Sequence, residues 1–150
     1  MILPVQSFSG PIPVVVNTDV LVAGLRGGGV ANAVLGRCLD GALEPLLGPA
    51  LLAEYEDVVR RDAPFRGSAS SVAEREEFLD IFLASARWIH VYFSWRPNLR
   101  DESDNHLIEL AVAGSAAYIV SRNVRDLRAM DLRFDGLEIV TPAQLLRKLP

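Results

Sequence analysis

The apolar positions fall into short β-branched or aliphatic runs separated by longer stretches with helical spacing. Val14-Val15-Val16 suits a buried strand. Gly27-Gly28-Gly29 then divides a short helical piece from residues 30–39, whose apolar positions recur with helical period. Leu43–Leu47 reads as a second strand between Gly41 and Gly48, although Pro45 inside it counts against a ladder strand. Pro49 fits the first turn of a helix that continues through LLAEYEDVVRR. The stretch DAPFRGSASS has loop composition, and Ser71 and Glu74 have the spacing of a capping box opening a helix to about residue 86.

Residues 88–93 are strand-like, SWRPNLRDES is a loop, and a helix is expected over about 104–113. A strand over 117–121, a short helix over 124–130, a strand over 137–140 and a last helix from Pro142 complete the pattern. Strand and helix alternate with no hairpin signal, which predicts an α/β fold with a parallel sheet covered by helices on both faces. Residues 1–13 read as an N-terminal tail and 14–150 as one domain.

Composition narrows this little. Half the residues are hydrophobic, so disorder is excluded. Cys38 is the one cysteine, which excludes an internal disulfide or a Cys-based metal cage, and its apolar helical setting predicts a core thiol. Residues 1–13 lack a basic start and are broken by Pro4, Pro11 and Pro13, and no apolar run is long enough to span a bilayer; a cytoplasmic protein is expected. The net charge of -4 means that any nucleic-acid contact must come from a local basic patch.

The chemistry lies where strands end, because parallel sheets bind ligands beyond their carboxyl edges. Asn17 and Asp19 follow the first strand, Glu54 lies on the helix after the second, Asp101, Glu102 and Asp104 follow the third, and Asn123 and Asp126 the fourth. Each has a plainer role open to it: Asp101, Asp104 and Asp126 as helix caps, Glu54 as one more solvated acid beside Glu56 and Asp57. Gathered at one edge, they would repel unless a cation neutralised them, and oxygen donors without Cys or paired His favour Mg²⁺ or Mn²⁺. His90 and His106 are expected in surface or core roles rather than as ligands. Arg122, Arg125, Arg128 and Arg133 surround Asp126, and Arg60, Arg61 and Arg66 end the Glu54 helix; they are candidates for phosphate contacts or for surface ion pairs.

Four segments in this order, VVVNTDVLVAGL, GPALLAEYEDVVRR, RDESDNHLIELAVAGSAAYIVSRNVRDL and LEIVTPAQLL, resemble the PIN-domain ribonucleases, in the branch that forms toxin components of toxin–antitoxin pairs. The resemblance covers about residues 14–146. It implies a three-layer fold with a five-stranded parallel sheet in the order 3-2-1-4-5. The family's acidic pocket falls on Asn17, Glu54, Asp104 and Asp126, with Asp101 as a nearby acid and Thr18, Ser121 and Asn123 in support. It further implies hydrolysis of RNA with Mg²⁺ or Mn²⁺, phosphate contacts from Arg122, Arg125, Arg60 and Arg61, a small antitoxin partner and a homodimer.

One position departs from the family. Its opening triplet usually reads Asp-Thr-Asn, and this chain reads Asn17-Thr18-Asp19. An extended backbone would displace the carboxylate by roughly 6–7 Å. The expectation is then a weakened metal site with Asp19 out of place, or an inactive PIN-fold interaction module. A haloacid-dehalogenase-like phosphotransferase is the remaining alternative. It needs a nucleophilic Asp at position 17 and a downstream lysine in context, and the only lysine is Lys148.

Overall fold

The computed structural model describes residues 10–91, 105–128 and 135–150. The chain runs β1 (Ile12–Val16), α1 (Thr18–Leu25), α2 (Gly29–Leu39), β2 (Leu43–Leu47), α3 (Pro49–Val59), a 3₁₀ turn (Ala63–Phe65) and α4 (Val72–Ala84). It continues through β3 (Arg87–Trp88), α5 (Asn105–Ala113), β4 (Tyr118–Val120), α6 (Val124–Arg128), β5 (Glu138–Val140) and α7 (Pro142–Lys148). All strand pairs are parallel and their order is β3-β2-β1-β4-β5, the order that the resemblance implied.

Val14, Val15 and Val16 are wholly buried at the sheet's centre, with Val20, Leu21, Leu43, Leu107, Ile108 and Ile119 around them. Helices α1, α2 and α7 pack together, while α5 lies over β1, β2 and β4. Right-handed crossovers place these groups on opposite faces, because the connections from β1 and from β3 travel in opposite directions across the sheet. The break in direction falls between β1 and β4, the place where parallel sheets bind ligands beyond the carboxyl edge.

Two prolines sit inside central strands. The Ala117 N–H donates to the Pro13 carbonyl, so residue 13 faces β4, and its missing N–H falls before the first β4 pair, Val14 with Tyr118. Pro45 faces β3 by the same alternation, and its missing donor precedes the first β3 pair, Leu46 with Arg87. Neither proline removes a ladder bond, so β2 forms despite Pro45.

The capping boxes at Ser71–Glu74 and Thr141–Gln144 both close reciprocally, and Pro49 opens α3. Gly27, Gly28 and Gly29 all adopt positive φ (102°, 73° and 74°), which explains the triple glycine between α1 and α2. Strand β3 is shorter than expected because β2 turns into α3 at Gly48 and offers no further ladder; the expected continuation past Val91 lies outside the described residues. The DAPFRGSASS stretch is tied down by Arg75, 2% exposed, whose guanidinium donates to the carbonyls of Val59, Arg61 and Ser70 and to Asp62 and lies over the Phe65 ring. Among the described residues no helix is long and apolar enough to cross a membrane.

Candidate functional site

Side chains from the β1–α1 junction, the end of β4, the middle of α3 and the start of α5 meet at this edge. Asn17 is the N-cap of α1: its Oδ1 accepts the Thr18 N–H at 2.8 Å, and its Nδ2 donates to Ser121 Oγ at 3.1 Å. Helix α1 therefore begins at Thr18, and the two-residue step from Asn17 to Asp19 is not extended chain. That corrects the displacement expected for Asp19. The turn of the helix brings its carboxylate back to the same Ser121 hydroxyl, 3.3 Å from Oδ2. The Asn17 amide caps α1 through Oδ1 and donates to Ser121 through Nδ2.

Ser121 is wholly buried and joins the two residues. Its Oγ accepts from Asn17 Nδ2 and from the Asn123 N–H at 3.0 Å and donates to Asp19. A hydroxyl has one donor and two acceptor positions, and all three are filled. Ser121 therefore ties Asn17, Asp19 and the Asn123 backbone together.

Asp19 Oδ2 also accepts the Arg122 N–H at 3.1 Å. Burial raises the Asp19 pKa above its ordinary value; the hydrogen bonds from the Arg122 N–H and Ser121, the nearby Val20 N–H and the Arg122 charge oppose the rise without cancelling it. Its Oδ1 is buried without a hydrogen-bond partner among the described residues. An unsatisfied buried carboxylate oxygen costs about 1–3 kcal/mol or more, which a bound cation or donor would relieve.

Glu54 arrives from α3, which is anchored at the same place by its neighbour: the Tyr55 hydroxyl, fully buried, donates to the carbonyl of Val16, the last residue of β1. Thr18 Oγ1 donates to Glu54 Oε1 at 2.7 Å, and His106 Nε2 lies 2.7 Å from Glu54 Oε2. The Glu54 side chain is 40% exposed, so the carboxylate is held on two sides and open on another. His106, expected in a core or surface role rather than as a ligand, is largely enclosed and reaches Glu54. No local pattern could reveal this, because the two residues meet only through tertiary packing of α5 against α3.

The structure thus gathers Asn17, Thr18, Asp19, Glu54, Ser121, the backbone of Arg122 and Asn123, and His106. Asp101 and Asp104 lie outside the described residues. Asp126 falls within α6 rather than at its N-cap, and its side chain is not among those described. Arg122 and Arg125 are exposed, and the Arg122 N–H lies at Asp19. Arg60 and Arg61 are not brought to it. They follow the last turn of α3, about 9 Å along the helix from Glu54 at 1.5 Å per residue, and pair with Glu76 (3.1 Å) and Asp57 (2.7 Å).

The donor set can be tested for a divalent ion. Among the described residues no group of three or more His, Cys, Asp or Glu side chains forms a cage. Mg²⁺ does not require one: it keeps several waters and takes one or two carboxylates plus substrate phosphate. The orphaned Asp19 Oδ1 and the half-open Glu54 carboxylate are hard oxygen donors of that kind, so these residues fit Mg²⁺ or Mn²⁺.

A parallel sheet with this strand order, with Asp19 and Glu54 following its first two strands, defines an α/β protein that carries carboxylates beyond the carboxyl edge of its sheet. A family model described as PIN domain matches residues 13–125, and the chain belongs to the PIN-domain family. Among solved structures, the fold is similar to VapBC2 from Rickettsia felis bound to a DNA fragment from their promoter, with TM-score 0.55, 15% identity, and coverage of 87% of this chain and 98% of that one. No curated protein matches the sequence.

Proposed function

We propose that this PIN-domain protein is a ribonuclease dependent on Mg²⁺ or Mn²⁺, in which Asp19 supplies the charge that the family usually carries two residues earlier. The observation that carries the reading is Asp19 Oδ1, a buried carboxylate oxygen without a partner among the described residues, in one hydrogen-bonded network with Ser121 and Asn17 at the switch point. When bound, the cation would supply a Lewis-acid charge that polarises the phosphodiester and activates water. Asp19 and Glu54 would hold it, joined in this reading by Asp101, Asp104 and Asp126. Thr18 fixes one Glu54 oxygen, and Ser121 and the Arg122 N–H fix one Asp19 oxygen. The exposed Arg122 and Arg125 would meet RNA phosphates.

The toxin role, with a small antitoxin as partner, draws support from the resemblance of the four sequence segments to PIN-domain toxin components and from the fold's similarity to VapBC2. A homodimer and a cytoplasmic location belong to the same reading. A second reading, a PIN-fold interaction module without cleavage, is favoured by the use of Asn17 as an internal cap. Cleavage of a single-stranded RNA with added Mn²⁺ separates the two. The nuclease reading expects cleavage by the wild type and its loss in Asp19→Asn and Glu54→Gln. No cleavage by the wild type, with its fold intact, would leave the interaction module.

A further inference from the structure

Both oxygens of Glu54 are held by side chains from separate elements: Oε1 by Thr18 Oγ1 from the start of α1 and Oε2 by His106 Nε2 from the start of α5, each at 2.7 Å. A carboxylate only accepts, so His106 Nε2 carries the hydrogen of that bond. The ring is largely enclosed, with 19% of its side chain exposed, and Nδ1 is buried without a partner among the described residues. Glu54 is thus the one hydrogen-bond partner of the ring among them. A leucine would fill such a space without an unsatisfied nitrogen, so packing alone does not account for an imidazole there. A glutamate has three side-chain torsions to freeze before its lone pairs point in a defined direction.

We propose that His106 is a positioning residue for Glu54. With Thr18 it locks the carboxylate in one orientation, leaving the remaining lone pairs directed toward cation and phosphate. The inference rests on the nuclease reading for its purpose, though the lock itself can be observed without cleavage. Hydrogen-bond partners of ligating carboxylates typically change metal affinity or activity by about tenfold to a hundredfold when removed.

The test compares His106→Leu, which keeps the bulk, with His106→Gln, whose amide nitrogen can donate as Nε2 does. Three quantities are read in the full chain: Glu54 side-chain rotamer populations by NMR, Mn²⁺ affinity without RNA, and kcat and KM on RNA. The wild type should hold Glu54 in one rotamer. In His106→Leu that rotamer should spread, Mn²⁺ affinity and kcat should each fall about tenfold or more, and KM for RNA should stay within about twofold. His106→Gln should recover most of the loss. Unchanged rotamers in His106→Leu would overturn the proposal whatever the activity, as would unchanged affinity and kcat in a wild type that binds Mn²⁺ and cleaves. A wild type that does not cleave RNA, with Glu54 locked and released in His106→Leu, would sink the nuclease reading and leave the positioning role standing.

Discussion

Replacing Ser121 by alanine removes one atom and three hydrogen bonds. Two are neutral, from Asn17 Nδ2 and the Asn123 N–H, and one reaches a carboxylate, Asp19 Oδ2, at a long 3.3 Å. A neutral bond contributes about 1 kcal/mol net and a charged one about 1.5–3 kcal/mol, the lower end suiting the long distance. The gross loss is then about 3–4 kcal/mol. Asn17, Asp19 and Asn123 each retain some exposure and recover part of it by hydration, whereas Ser121 itself is wholly buried and water cannot replace its hydroxyl. The expected cost is about 2–3 kcal/mol, which at about 2–4 °C per kcal/mol for a chain of this size lowers Tm by about 5–10 °C. Helix α1 keeps its cap, since Asn17 Oδ1 still accepts from Thr18. Urea unfolding followed by tryptophan fluorescence, beside far-UV circular dichroism, reads both quantities. A loss below about 0.5 kcal/mol, the level of an ordinary surface change, would refute the view that this hydroxyl holds the two residues together.

Three further outcomes follow from the same structure. Asp19 has a folded pKa raised from 3.8 by burial, so the folded state binds its proton more tightly than the unfolded chain. Its favourable contribution is present at low pH and is lost as pH rises from the unfolded to the folded pKa, so metal-free Asp19→Asn should gain on the wild type across that window; a Tm difference independent of pH would contradict this. Arg75→Met should cost about 3 kcal/mol or more in urea unfolding, because it strips donors from the carbonyls of Val59, Arg61 and Ser70; a neutral result would show that the arginine is not the tie between α3 and α4. Burial pushes the Cys38 thiol up to about 12, so a thiol reagent at about pH 8 should label it only in denaturant, and rapid native labelling would contradict its placement.

The fold was legible wherever one local pattern decided an element. Val14-Val15-Val16, the Ser71–Glu74 box and the Pro49 start each carried their own signal, and the alternation of strands and helices carried the parallel sheet. Boundaries set by neighbours were not legible: β3 stops where β2 stops, and Pro45 is harmless only because of which neighbour it faces. The site divided in the same way. That Glu54 and Asp19 stand after strand ends could be read along the chain. That Asp19 returns to Ser121 could not be read while residues 17–19 were taken as extended. The missed signal was Asn17 itself, a favoured N-cap residue three positions before Val20, which with Leu21 and Gly24 forms the buried face of α1. His106 and Arg75 meet their partners through packing between helices, and nothing adjacent to them in sequence marks those contacts.

The central claim is that the working carboxylate of this site is Asp19 and that Asn17 is its scaffold. Mn²⁺ titration by calorimetry, on wild type, Asp19→Asn and Asn17→Ala, tests it most directly. One lost charge–charge contact in a partly screened pocket is on the order of 3 kcal/mol, or about a hundredfold in affinity. Asp19→Asn should weaken Mn²⁺ binding by about that factor, while Asn17→Ala, at comparable fold, should weaken it by less than about tenfold. Equal affinity in the wild type and Asp19→Asn, or a larger loss in Asn17→Ala than in Asp19→Asn, would contradict it.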